Sequence, residues 1–296
     1  MKQHRTWIFL SFLTIVLFLL YPDAAARGMR DGLNVCAVTI IPTLYVYSVM
    51  TGVLMKLLPP RGTTGRRPSF LIFILGALCG FPIGARLLQT AGADEKSVFP
   101  NIEWLLASVN LASPAYVIGA VGAGAFHDQK IGVLIYLCTT AVALLFFCPV
   151  RTCGTGISSH KAKEDLHFGG VLLSSIENAV GGILKICGVL CFFSSLLAII
   201  SDLPFVSKEA LLPLSIFLEI GNGTAQCARL YSENPMLSVW SAAFCCGFSG
   251  LCVQLQIISV IGSAQIKLYR LCFYKMMIGL FSAFATVFLW KIFGFS

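Results

Sequence analysis

Two arginines lie deep in apolar sequence, at corresponding places in the two halves of the chain. Gly80-Phe81-Pro82-Ile83-Gly84-Ala85-Arg86-Leu87 and Gly223-Thr224-Ala225-Gln226-Cys227-Ala228-Arg229-Leu230 both read glycine, four variable residues, then Ala-Arg-Leu, offset by 143 residues (229 − 86). An arginine at the centre of a bilayer costs at least about 2.5 kcal/mol on insertion scales. Such a residue either meets an anion or ligand, or snorkels its guanidinium to the headgroups. The spacing leaves both readings open. The same offset pairs Asn34 with Glu177, each near the start of a long apolar run.

Amides form the second set. Asn110, Asn222, Gln226, Gln254 and Gln256 sit inside apolar sequence, accompanied by Ser113 and Ser249. An interhelical hydrogen bond of this kind averages only about 0.6 kcal/mol. Helix gluing explains one such amide well, whereas five suggest a cavity of donors and acceptors for a polar solute. Glu177 and Glu219 are the candidate intramembrane carboxylates, and ion pairing with Lys185 or Arg229 is the expectation for them.

Catalytic and metal chemistry find less support. Gly247-Phe248-Ser249-Gly250 has the Gly-x-Ser-Gly form found around the nucleophile of rhomboid-type intramembrane proteases, but no histidine follows His167 to act as base. The chain has no Cys-x-x-Cys pair, no zinc-ligand spacing of histidines and no phosphate-binding Gly-x-x-x-x-Gly-Lys-Ser/Thr loop. The expectation is therefore no enzyme, no metal and no cofactor.

The elements that must position these groups are membrane helices. Of the 296 residues, 57 % are hydrophobic and 11 % charged, with a mean hydropathy of +0.85. Soluble domains carry roughly a quarter charged residues. The fold class expected is all-α: a polytopic transmembrane helical bundle of about eight or nine apolar segments, near 7–22, 32–57, 69–90, 103–126, 131–150, 170–201, 210–230, 237–262 and 271–293. The net charge of +8 is spread over segment ends and short loops, which fits topology-setting charges and no nucleic acid. Most of the twelve cysteines fall in apolar runs and read as small buried hydrophobes. Lys2 and Arg5 precede the first apolar run, and Ala24-Ala25-Ala26 follows it; the run is read as an uncleaved first span rather than a leader.

Several segments are interrupted. Gly80, Pro82 and Gly84 break 69–90, and Asn110-Leu111-Ala112-Ser113-Pro114 breaks 103–126. Backbone freed in lipid survives only where protein buries it or it lines a wet cavity. Gly119, Gly122 and Gly124 should permit a tight helix contact. The expected organisation is a leading helix and loop over 1–31, a first repeat over 32–150, a polar linker over 151–169 and a second repeat over 170–296. The loop at 61–67 is strongly basic, Asp94-Glu95 is acidic, and the loop matching the basic one is not basic, which leans towards inverted repeats.

Three motifs in this order resemble the YlbJ-type sporulation integral membrane proteins of the nucleoside-recognition, or Gate-domain, superfamily. They are Gly80-Phe81-Pro82-Ile83-Gly84-Ala85-Arg86, then Asn110 to Val121 with Phe126-His127, then Gly247-Phe248-Ser249-Gly250-Leu251-Cys252-Val253-Gln254-Leu255-Gln256-Ile257. The resemblance covers about residues 32 to 290; the chain departs from the pattern at Leu111, Ala112 and Gln254. It implies a multispan protein of the cytoplasmic membrane of endospore-forming bacteria, linked to spore cortex formation. It also implies two Gate repeats similar to the core of concentrative nucleoside transporters, inverted and with re-entrant hairpins.

The function expected is thus a multi-pass secondary carrier or gate for a small polar solute, nucleoside-like if the resemblance extends to substrate. The alternative is a non-transporting scaffold for spore or envelope assembly. The candidate solute-binding residues are Gly80, Pro82, Gly84, Arg86, Asn110, Ser113, Pro114, Asn222, Gln226, Arg229, Ser249, Gln254 and Gln256. The expected partners are bilayer lipid and the solute, and a homo-oligomer is compatible with this reading.

Overall fold

A computed structural model describes residues 2–57, 67–90, 101–149, 168–262 and 266–293. Among these residues every regular element is helical. The chain runs α1 (Lys2–Leu20), α2 (Pro22–Val35), a π-helical turn (Cys36–Ile40), α3 (Ile41–Leu57), α4 (Arg67–Cys79), α5 (Ile83–Thr90) and α6 (Ile102–Val109). A π-helical segment (Ala115–Ala125) follows, then α7 (Gln129–Phe147), α8 (Phe168–Asp202), α9 (Lys208–Leu218), α10 (Ile220–Arg229), α11 (Pro235–Phe248), α12 (Gly250–Ile261) and α13 (Leu268–Phe293). The basic loop before Arg67, the acidic Asp94-Glu95 pair and residues 151–167 of the expected linker lie outside the described residues. The last two linker positions belong to α8, and the boundary expected at 31/32 falls inside α2.

The eight or nine apolar segments do not each become one straight crossing helix. Four helices are long and apolar enough to span: Gln129–Phe147, Phe168–Asp202, Pro235–Ile261 and Leu268–Phe293. A fifth forms only if Ile8–Leu20 and Pro22–Val38, bent by 98°, make one span. Proline at the start of α2 supplies that corner, because its missing N–H would be unsatisfied there anyway. The remaining apolar sequence forms shorter helices. At 1.5 Å per residue, the 8 residues of α5 or α6 rise only about 12 Å, less than half of a hydrocarbon core. By contrast, the 35 residues of α8 rise about 52 Å, so it must tilt or project beyond that core.

The packing is that of a protein solvated by lipid. Large side chains such as Phe281, Phe284 and Phe288 of α13 and Leu173 and Leu184 of α8 are exposed, while Asn110, Ser249, Gln254 and Lys275 are sealed inside. In water such a surface would be an aggregation hazard; against acyl chains it costs nothing. One core joins α4 to α7 with α9 to α13, and a smaller one lies between the π-helical turn after α2, α8 and α12 around Cys36, Leu190, Cys191 and Cys252. In that smaller core Gly28 faces the backbone of Ser194 and Ser195, and a Cβ on Gly32 would stand 2.9 Å from Cys191 Cα. This small-xxx-small face brings α2 directly onto α8. Of the three glycines expected to pack closely in the π-helical segment, Gly122 does so, against Gly132 of α7; Gly119 and Gly124 face no neighbouring helix.

Candidate functional site

Four helix breaks meet inside the bundle. At the first, α4 stops at Cys79, Gly80 takes φ +82, and a cis Phe81-Pro82 bond leads into α5. A non-glycine residue would be strained at that φ, and a Cβ there would also stand 2.8 Å from Ser113 Cβ. Phe81 N donates to Leu111 O across the gap at 2.8 Å, so this break is locked onto the second. The second runs from Asn110 to Pro114. Asn110, fully buried, accepts from Ala85 N through Oδ1 (2.9 Å) and donates through Nδ2 to Leu106 O (2.9 Å). One amide thus satisfies an N-terminal donor of α5 and a carbonyl of α6. Ser113 Oγ accepts from Tyr116 N at 3.2 Å, capping the helical segment that follows Pro114.

The third break is Glu219, which stands in extended conformation between α9 and α10. Its carboxylate accepts from Gly221 N (2.6 Å), Asn222 N (2.7 Å) and Asn222 Nδ2 (2.9 Å). Glu219 therefore does not pair with Lys185 or Arg229 as expected. The positive end of α10 and its free amides already supply what a buried carboxylate needs. Glu177 is exposed, and among the described residues the ion pair is Arg27–Asp202 (2.5 Å). The fourth break is Ser249-Gly250, with φ +68 and +70 between α11 and α12. A Cβ on Gly250 would stand 3.1 Å from Glu219 N, so this break rests against the third.

Lys275 joins the two pairs, and sequence reasoning missed it. It sits two turns into α13 and is fully buried. Its Nζ donates to the backbone carbonyl of Asn110 and to Ser249 Oγ at 3.4 Å. The available signal was a lysine inside the last apolar run, where an ionisable residue is a functional candidate by default. Lys275 also stands beside Ser249 where a protease of the rhomboid type would need a histidine base. The proton order does not suit nucleophilic attack, because Lys275 donates to Ser249 Oγ while that hydroxyl donates to Cys246 O at 3.0 Å. A second link between the halves is Tyr116 Oη with Thr224 Oγ1, 3.1 Å apart.

The remaining candidates scatter around this centre. Pro82 and Gly84 are buried at the first break, where Gly84 abuts the Val109 carbonyl, and Pro114 is half-buried. Gln254 donates to Phe248 O at 3.5 Å and Gln256 to Cys252 Sγ at 3.4 Å; both Oε1 atoms are buried without a partner among the described residues. Two residues apart on a helix means about 200° of rotation, so these amides face opposite sides of α12 rather than one cavity. Asn222 and Gln226 are half-buried on α10. The two arginines, matched in sequence, are not matched in place. Arg86 crosses to α8, where its guanidinium lies over Gly182 and donates to Asn178 O at 3.2 Å. Arg229 is exposed in the last turn of α10, where a cation suits the helix C-terminus.

Among known proteins, the chain is similar to the sporulation integral membrane protein YlbJ of Bacillus subtilis (strain 168). The two are 22% identical over 337 residues, covering 96% of this chain and 81% of the relative. No family profile and no solved structure matches. The similarity supports the YlbJ-type family that the three motifs resemble, and with the apolar helices it indicates an integral membrane protein.

Proposed function

We propose that this YlbJ-type integral membrane protein is a secondary carrier or gate for a small polar solute, nucleoside-like in its hydrogen-bonding groups, serving spore formation from the bacterial cytoplasmic membrane. The observation that carries this reading is the convergence of four helix breaks on Asn110, Lys275 and Ser249. A helix bundle needing only stability has no use for interrupted helices in lipid, where each freed backbone group must be re-satisfied. Discontinuous helices meeting at mid-bundle are the arrangement by which carriers present backbone and amide groups to solutes. The element order supports duplication: broken α4–α5, a broken second helix and an unbroken α7 are followed by broken α9–α10, broken α11–α12 and an unbroken α13. The unpartnered Oε1 atoms of Gln254 and Gln256 are acceptors suited to a solute's N–H or O–H.

Uptake of labelled nucleosides and other small polar solutes into liposomes holding the purified protein tests the reading. Protein-dependent uptake that falls about tenfold or more in Asn110→Ala and Gln256→Ala, at unchanged protein levels, is the expected result. One observation favours a second reading, the non-transporting scaffold. Asn110, Ser249, Gln254 and Lys275 are fully buried, as in a static polar core. No protein-dependent flux of any solute, with envelope or spore defects on deletion, would establish that reading instead.

A further inference from the structure

We propose that Lys275 is a tethered cation, filling a monovalent-cation site formed by the C-terminal ends of α6 and α11. Helix α6 ends at Val109 with Asn110 as its C-cap, and α11 ends at Phe248 with Ser249 as its C-cap. The last carbonyls of a helix lack intrahelical partners, and the macrodipole places partial negative charge there. Two such ends face one point in the bundle, and the group at that point is the Lys275 ammonium, held by the Asn110 carbonyl and the Ser249 hydroxyl. Lys275 is fully buried, and among the described residues no carboxylate lies within ion-pair distance of it. The acceptors it meets among the described residues are neutral oxygens at helix ends. That donor set also suits a small hard cation, and membrane carriers use it to hold their coupling ions. Here the chain supplies the cation covalently, so the group that joins the breaks in its two halves cannot diffuse away.

The inference concerns assembly of the helix breaks and does not depend on solute movement. Its test is the thermal melting of the full-length protein in detergent, in sodium, lithium, potassium or N-methyl-D-glucamine chloride at equal ionic strength. The wild type should melt at one temperature in all four. Lys275→Ala should melt about 4–8 °C lower in N-methyl-D-glucamine and regain part of that loss in a small alkali cation or in methylammonium. Lys275→Met fills the stem's volume without the charge; it should melt below the wild type and respond to no cation. Specific stabilisation of the wild type by sodium or lithium would overturn the proposal, because the site would then be open to exchangeable ions. So would a Lys275→Met protein as stable as the wild type, since the charge would then hold nothing. If Lys275→Ala does not accumulate, the wild-type and Lys275→Met measurements still decide.

Discussion

Glu219 shows how one side chain can be misread when only its charge is considered. A carboxylate in apolar sequence invites a search for a cation, yet its oxygens accept from three N–H groups, all within three residues of it. The energetic role is therefore that of a helix cap. Glu219→Ala should destabilise the protein by about 1–2 kcal/mol, and Glu219→Gln, which keeps one acceptor, by less. Denaturation of the purified variants in detergent measures both; equal losses would mean that the charge, not the cap, matters. Asn110 stands out in sequence as a polar group inside apolar residues, but its partners cannot be read there. Its amide spans 25 residues to Ala85, and its carbonyl spans 165 to Lys275.

At the level of elements, the contact of α2 with α8 sets packing against electrostatics. Gly28 and Gly32 bring the two backbones together, and the same pair of helices carries the Arg27–Asp202 bridge, whose side chains are 50% and 39% exposed. An exposed pair contributes about 0–1 kcal/mol, whereas forcing a large side chain into a filled contact costs about 1–3 kcal/mol. Packing should dominate. Gly28→Leu should lower stability by about 1–3 kcal/mol and open α2 to proteolysis, while Arg27→Ala should change either by little. The reverse ranking would show that the ion pair holds α2 in place. Element boundaries follow the same logic of local chemistry. Gly80-Phe81-Pro82 and Asn110 to Pro114 end helices where the sequence says they must, because proline and left-handed glycine act on their own backbone.

For the whole molecule, the proposed mechanism turns on how the two halves face the membrane. Gln89 and Ser232, offset by the same 143 residues (232 − 89), are both exposed, at the ends of the matched α5 and α10 regions. Cysteines placed there singly, with Cys148 and Cys153 replaced by serine, provide a direct test in intact cells. Most of the other thiols are buried, so the background should be low. Inverted repeats predict labelling of the two positions from opposite sides by an impermeant maleimide. Labelling from one side would mean parallel repeats, remove the analogy with inverted carriers and favour the scaffold.

The sequence by itself determined the all-helical membrane class, because hydropathy sums over local residues and lipid permits few other backbone solutions. Two of the four breaks, Gly80–Pro82 and Asn110–Pro114, are also legible in sequence at residue resolution, whereas those at Glu219 and Ser249-Gly250 are not. Only the tertiary structure decided which of the flagged polar groups meet. It left Arg229 at the surface, sent Arg86 to α8, turned Gln254 and Gln256 to opposite faces of α12, and put Lys275 of the last helix between the first and second halves. The reason is physical. A break is written in the dihedral and hydrogen-bonding limits of the residues that make it, whereas the buried Lys275 ammonium is held by oxygens brought from far along the chain.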